Sequence, residues 1–110
     1  MVDERRLDDM MERLSFAESL AGTDLLRRAV VLMEANRGMS ITKELYPALA
    51  KATGRTATQV ERNMRHAISN AVRCCDWVET RVEWQSFIGG QTPTVSEVVA
   101  RLARRCSIAN

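Results

Sequence analysis

The sequence predicts an all-α fold, with about six helices and a helix-turn-helix in one compact domain. The chain has 110 residues, of which 45% are hydrophobic and 27% charged, so one domain can bury its own core. Its two prolines and five glycines leave long uninterrupted segments. Apolar residues recur at helical spacing, whereas few segments show the period-two alternation that is typical of strands.

The first two helices are predicted from apolar spacing and from the residues that punctuate it. The first helix is expected over about 3–20. Its apolar residues form one stripe, which consists of Leu7, Met10, Met11 and Leu14. Gly22 is expected to break this helix, and Thr23 to cap a second helix over about 24–36.

The centre of the chain carries the layout of a helix-turn-helix. Residues 40–45 are predicted to form a helical turn, and Pro47 to open a short helix over 47–53. Gly54 ends that helix, and Thr56 is expected to cap a longer helix over about 57–74. In DNA-binding proteins of this layout the second helix enters the major groove.

Two further helices are predicted towards the C-terminus. Residues 76–87 are expected to be helical, with Trp77 and Trp84 as core or interface anchors. The spacing Thr94-x-x-Glu97 is a capping box, and it predicts a last helix over about 95–105.

Charge is distributed unevenly along the chain, although the net charge is only +2. Residues 1–24 hold seven acidic and three basic side chains, whereas residues 40–73 hold six basic and two acidic ones. We therefore expect an acidic amphipathic helix at 1–21 and a helix-turn-helix domain at 22–110, with positive potential where phosphates would lie.

The predicted helix 57–74 has an apolar face and a polar face. At about 100° per residue, Val60, Met64 and Ile68 fall on one side. The opposite side carries side chains that bind bases and phosphates in DNA: Gln59, Arg62, His66, Ser69 and Arg73. This face predicts a reader of double-stranded DNA.

Gln59 and Glu61 are candidate base-reading residues, each with a local alternative. Gln59 can pair with adenine in the major groove, or it can complete a capping box with Thr56. Glu61 can accept a hydrogen bond from cytosine, or it can pair with Arg65 one helical turn later. The residues alone leave both alternatives open.

The remaining candidates are cations and small hydroxyls. Arg62 is a further candidate for base reading, and Arg65, His66 and Arg73 are expected to contact phosphates or bases. Solvated surface side chains are the alternative for these residues. Small hydroxyls and a lysine that would face the DNA backbone extend this set: Ser40, Thr42, Lys43 and Thr56. Tyr46 suits either the core or a phosphate contact.

The inventory of reactive residues argues against an enzyme, and we predict no catalytic site, metal, cofactor or small-molecule substrate. His66 is the one histidine, and there is no glycine-rich phosphate loop. Cys74, Cys75 and Cys106 are too few and poorly spaced for a zinc site or a disulfide framework, so we expect buried or half-buried thiols. With no apolar run near about 20 residues, the sequence predicts a cytoplasmic protein, associated with the nucleoid when bound to DNA, and no membrane contact.

Two motifs in the centre of the chain carry a family resemblance. Residues 40–51 and 56–68 resemble the DNA-binding effector domain of the stage 0 sporulation protein A family, a sporulation response regulator. The most specific part is Val60-Glu-Arg-x-x-Arg-His-Ala-Ile68, and residues 22–29 and 93–97 match more weakly. Relatives usually have arginine, which reads guanine, where this chain has Gln59.

The resemblance implies a six-helix domain that binds DNA as tandem copies on adjacent sites and recruits or blocks RNA polymerase, with a sigma factor as a further candidate partner. The family's phosphorylated receiver domain is expected to be lacking, because 110 residues do not hold both domains. Either an excised domain or a natural stand-alone regulator fits this expectation. We expect the first helix to serve oligomerisation in place of the receiver.

A protein-interaction module is the alternative function. Such a module would keep the effector fold but lose specific DNA binding, and would act as an antagonist of full-length relatives. The acidic first helix and Gln59 favour this alternative, whereas the grouping of Glu61, Arg62, Arg65 and His66 favours DNA binding.

Overall fold

The structure is a computed structural model that describes residues 2–74, 82, 84–85 and 93–108. In this part of the chain the fold is all-α, as the sequence predicts, and the one extended pairing is an isolated bridge between Val2 and Ser107. The elements with described bounds follow in order: α1 (Glu4–Arg13), α2 (Ala21–Ala35), the π-turn (Ile41–Leu45), α3 (Tyr46–Thr53), α4 (Ala57–Arg73) and α5 (Val95–Cys106). Val82, Trp84 and Gln85 are helical as well.

Helix α1 is shorter than the predicted helix over 3–20. The Asp3 side chain caps it by accepting from the Arg6 amide at 3.2 Å, and it ends at Arg13. Ser15 then adopts a left-handed conformation with φ of 65°, which a right-handed helix does not accommodate. The apolar pattern continues through Phe16, which is buried, but it does so outside the helix.

The apolar stripe of α1 packs into the protein's own core. Leu7 and Leu14 are fully buried and Met11 nearly so. Part of the negative charge of α1 is neutralised within the fold, because Arg27 of α2 pairs with Asp8 at 2.7 Å and with Glu4 at 3.1 Å. The protein's own core therefore takes up most of this stripe, and a role of α1 in oligomerisation stays a prediction.

Gly22 lies inside α2 instead of ending the preceding helix, so the predicted break and the predicted Thr23 cap are wrong. The helix begins at Ala21, and the Thr23 hydroxyl donates to the Ala17 carbonyl at 2.6 Å. Glycine is needed here for close packing, because an added Cβ would overlap the Asn63 carbonyl oxygen of α4. Helix α2 thus approaches α4 backbone to backbone.

The helix-turn-helix follows the predicted boundaries closely. Ser40 caps the π-turn, which leads directly into α3 with Pro47 in its first turn. Gly54 terminates α3 with a left-handed φ of 67°, and Thr56 begins α4 two residues later. Leu45, Leu49 and Val60 are buried, so both helices are held on the core by apolar contacts.

The C-terminal helix α5 closes the core. It begins after Thr94, whose hydroxyl accepts from the Glu97 amide at 3.2 Å, as the capping motif predicts. Its buried side chains face the core: Val95, Val98, Val99, Leu102, Ala103 and Cys106. The Asp3 amide donates to the Cys106 carbonyl at 2.7 Å, which joins the two ends of the described chain.

Tryptophan and cysteine positions agree in part with the predictions. Trp84 is 6% exposed, packs on Phe16 with ring centroids 5.7 Å apart, and donates from Nε1 to the Leu14 carbonyl at 2.8 Å. Cys106 is buried as expected, but Cys74 is exposed, because it follows the last core position of α4. The predictions for Trp77, Cys75 and most of the helix 76–87 lie outside the described residues.

Within the described ranges, no helix is both long and apolar enough to cross a membrane.

Candidate nucleic-acid interface

Helix α4 separates its core contacts from its outward surface. Its buried residues lie on one side: Val60, Met64, Ala67, Ile68 and Ala71. The outward side carries exposed polar residues along its length: Thr58, Gln59, Arg62, Arg65, His66, Ser69 and Arg73. The buried face explains why this helix is stable on the domain, and it leaves the outward side chains free of a packing role.

The first turn of α4 is closed by a complete capping box. The Thr56 hydroxyl accepts from the Gln59 amide at 3.1 Å, and the Gln59 side-chain oxygen accepts from the Thr56 amide at 2.9 Å. These two bonds satisfy two of the amides that a helix start leaves unpaired. The local alternative for Gln59 is therefore present in the free protein. The bond from the Thr56 amide to the Gln59 side-chain oxygen must break before the carboxamide oxygen and nitrogen can both bind a base.

Glu61 and Arg65 also form the pair that their spacing allows. Arg65 Nη1 lies 3.1 Å from Glu61 Oε1, with the two side chains 63% and 32% exposed. Such an exposed pair contributes little stability, so either partner can exchange it for a stronger contact to DNA. Glu61 also lowers the local excess of positive charge beside Arg65.

Two outward arginines and one histidine of α4 are available to phosphates. Arg62, His66 and Arg73 are exposed, and none of them pairs with another side chain among the described residues. Guanidinium groups bind phosphate oxygens bidentately and keep their charge at all relevant pH values. These positions give the helix a cationic surface that needs no rearrangement to meet a negatively charged backbone.

The π-turn presents the second group of predicted contacts ahead of α3. The Ser40 hydroxyl accepts from the Lys43 amide at 3.3 Å, and the Ser40 amide donates to Glu44 Oε1 at 3.1 Å. The Ser40 hydroxyl hydrogen remains able to donate to a phosphate oxygen. Thr42 and Lys43 are exposed on the same turn. The residues predicted to contact the DNA backbone from this turn are therefore separated from α4 in sequence by helix α3.

Tyr46 is the first residue of α3 and is half-buried against the core. Burial raises the pKa of its phenol, Glu61 raises it further, and Arg65 lowers it. The core contact is therefore present, and a phosphate contact by Tyr46 stays a prediction.

Thr58 is an outward residue that the sequence reasoning did not single out. It is exposed at the second position of α4, directly before Gln59 and four residues before Arg62. A small uncharged side chain beside arginines carries little signal by itself. Helical spacing from Arg62 and Arg65 was the signal that could have found it.

Among the residues that the structure describes, no group of three or more histidine, cysteine or acidic side chains is arranged so that it could bind a metal ion.

Comparison with known protein families identifies the chain. Residues 7–106 match the family described as "Sporulation initiation factor Spo0A C terminal". The match spans nearly the whole chain, and it includes α1 from Leu7 onward as well as the helix-turn-helix. This is a family of DNA-binding effector domains that act in transcription regulation and sporulation, and it is not a catalytic family. The chain therefore belongs to the sporulation initiation factor Spo0A C-terminal family.

Proposed function

We propose that this protein is a sequence-specific regulator of transcription that binds double-stranded DNA with α4 in the major groove. The observation that carries the proposal is the outward side of α4, where Arg62, His66 and Arg73 are exposed and unpaired among the described residues while the opposite side is buried. Membership of a DNA-binding family supports the same conclusion.

The contacts divide into those that position the helix and those that recognise bases. His66 and Arg73 on α4 bind phosphates, as do Ser40, Thr42 and Lys43 on the π-turn, so that the backbone is gripped at two places. Thr56, at the N-terminus of α4, supplies a further phosphate contact. Such contacts fix the register of α4 but carry no sequence information.

Base recognition rests on the first two turns of α4. Arg62 is exposed and can bind guanine O6 and N7 bidentately without breaking a bond in the free protein. Gln59 pairs with adenine after releasing the Thr56 amide, and Glu61 accepts from cytosine after releasing Arg65. Arg65, once released, binds a phosphate or a guanine.

A selection from a random duplex library tests this proposal directly. Wild type and Gln59→Arg are selected in parallel, because arginine prefers guanine where glutamine prefers adenine. We expect one enriched motif from each protein, and a switch from adenine to guanine at one position. If wild type enriches no motif at low salt, with its helical circular-dichroism spectrum intact, the proposal is wrong.

Salt dependence separates the phosphate contacts from the rest of the surface. We expect Arg73→Ala to weaken binding to all duplexes and to reduce the slope of log K against log salt by about 0.9. Arg28→Ala is the matched control, because Arg28 is an exposed arginine on α2 that pairs with Asp24 at 2.8 Å. Equal slopes for the two variants would remove Arg73 from the interface.

Assembly on DNA and contact with RNA polymerase extend the proposal through the family resemblance. We propose that copies of the chain bind adjacent sites in tandem and that the bound protein recruits or blocks RNA polymerase. Titration of duplexes with one or two selected sites, followed by native mass measurement, gives the stoichiometry. If two copies bind the double site without cooperativity, the proposal of tandem assembly is wrong and the proposal of DNA binding is unaffected.

A protein-interaction module is the second candidate, and one observation favours it. Gln59 and Glu61 both hold partners within their own helix, as they would if neither were used for bases. Such a module would act on full-length relatives and bind duplex DNA weakly at every salt concentration. The selection experiment decides between the candidates, since only a DNA-binding protein enriches a motif.

A further inference from the structure

The outward surface of α4 contains one continuous stripe that begins in the first turn. Four exposed residues follow one another at intervals of four, three and four positions: Thr58, Arg62, Arg65 and Ser69. At about 100° per residue, all four lie within about 60° of one another around the helix axis. Thr58 is therefore on the same line as the arginines and closest to the N-terminus of the helix.

The other side chains of the first turn are unsuited to bases or already engaged. Ala57 has no polar side-chain group. In the capping box the Thr56 hydroxyl accepts from the Gln59 backbone amide, and the Gln59 side-chain oxygen accepts from the Thr56 backbone amide. Thr58 makes no side-chain hydrogen bond within the described part of the chain. Among these four residues it alone offers a methyl group and a hydroxyl without loss of an existing bond.

The position and chemistry of Thr58 fit a thymine. The N-terminal residues of a recognition helix are those that reach base edges, and a threonine methyl group packs on the thymine 5-methyl group in the major groove. We propose that Thr58 is a specificity-determining residue that selects thymine through this methyl contact. The inference rests on the proposed function and adds a recognised base to it.

The spacing along α4 also places the thymine within the site. Thr58 precedes Arg62 by four residues, which is about 6 Å along the helix axis. Base pairs are about 3.4 Å apart along the DNA axis, so this separation spans at most about two base pairs between the thymine and the base that Arg62 contacts. The selected motif is therefore expected to contain a thymine near the guanine that depends on Arg62.

Removal of single thymine methyl groups tests the contact. Each thymine of the selected site is replaced in turn by deoxyuridine, which differs only in lacking the 5-methyl group, and affinity is measured by fluorescence anisotropy. Wild type should bind about fourfold more weakly at one position, the loss expected for one buried methyl group. If wild type tolerates deoxyuridine at every position, the proposal is overturned.

Variants of Thr58 assign that loss to the proposed residue. Thr58→Ser removes the methyl group and should bind the thymine and deoxyuridine duplexes equally, whereas Thr58→Val keeps a methyl group and should retain the fourfold difference. Thr94→Ser is the matched control, because Thr94 caps α5 and serine is an equally good cap. It should behave as wild type.

The outcomes distinguish failure of the Thr58 proposal from failure of the proposed function. If Thr58→Ser keeps the full loss on deoxyuridine, the contact belongs to another residue, and the selected motif still supports DNA reading by α4. If wild type selects no motif, both proposals are wrong. Circular dichroism of each variant checks that its total helix content matches wild type, which is expected since Thr58 is exposed.

Discussion

Replacement of Gly22 by alanine tests the packing that holds α4 in place. Helix propensity alone predicts that alanine in a helix stabilises by about 1 kcal/mol relative to glycine. The structure predicts the opposite sign, because the new Cβ would overlap the Asn63 carbonyl oxygen and lie 2.5 Å from its carbonyl carbon. A backbone group has no rotamer that relieves this overlap, so we assign it a cost of about 3 kcal/mol, at the upper end for overpacking. The net expectation is a loss of about 2 kcal/mol.

Urea denaturation followed by circular dichroism at 222 nm measures this change, and thermal unfolding should show a fall in Tm of about 10 °C. The double variant Gly22→Ala/Ala67→Gly is the control, because Ala67 Cβ is the other close neighbour, at 2.8 Å. If the Asn63 backbone is the main obstacle, removal of the Ala67 methyl group gives little rescue. A Gly22→Ala protein as stable as wild type would refute the close approach of α2 and α4.

Three further predictions concern single contacts. Arg37 and Ser107 hold the pKa of Glu34 at about 2, below its ordinary 4.5, so this carboxylate stabilises the fold above pH 4.5 and loses its effect as the pH falls towards 2. Glu34→Gln should therefore flatten the acid limb of a stability curve measured between pH 2 and 6, and an unchanged limb would contradict the assignment. Gly54→Ala forces alanine into the left-handed φ of 67° and should destabilise by about 1 kcal/mol in urea, with Gly54→Asn less affected. Trp84→Phe keeps the packing on Phe16 but leaves the Leu14 carbonyl without its indole donor; we expect a loss of about 1–3 kcal/mol in urea, and none if that bond contributes nothing.

The end of α3 and the starts of α4 and α5 were predictable because local chemistry determines them. Three local signals each act within about one helical turn and mark a helix end in the structure: the Thr56–Gln59 pair, the Thr94–Glu97 pair and Gly54. The start of α2 was not predictable in the same way. Gly22 looks like a helix breaker in sequence, but its role depends on Asn63, forty-one residues later in the chain.

The first helix shows the same limit in another form. Apolar spacing continues past Arg13, so periodicity alone extends the helix to residue 20. The left-handed Ser15 ends it instead, and Phe16 reaches the core beside Trp84, a partner distant in sequence. Periodicity identifies which residues are buried more reliably than it identifies the backbone conformation that buries them.

For the candidate interface, the sequence supplied the correct local alternatives but not the choice among them. The capping bonds of Gln59 and the ion pair of Glu61 are both present in the free protein. Each involves a partner three or four residues away, so spacing reveals that it can form. Which partner each residue holds on DNA depends on a competing ligand, and the base-reading roles of Gln59, Glu61 and Arg62 stay predictions.

The division of α4 into a buried side and an outward side has a consequence for evolution and engineering. Substitutions at outward positions such as Arg62 or Ser69 leave the core untouched, so target preference can diversify without renewed selection for folding. Gln59 is the exception within this helix, because the same carboxamide caps the helix and faces the outward surface. A substitution at that position that changes the base preference also removes the capping bond and lowers the stability of the helix. Libraries that vary it should therefore be screened for both properties.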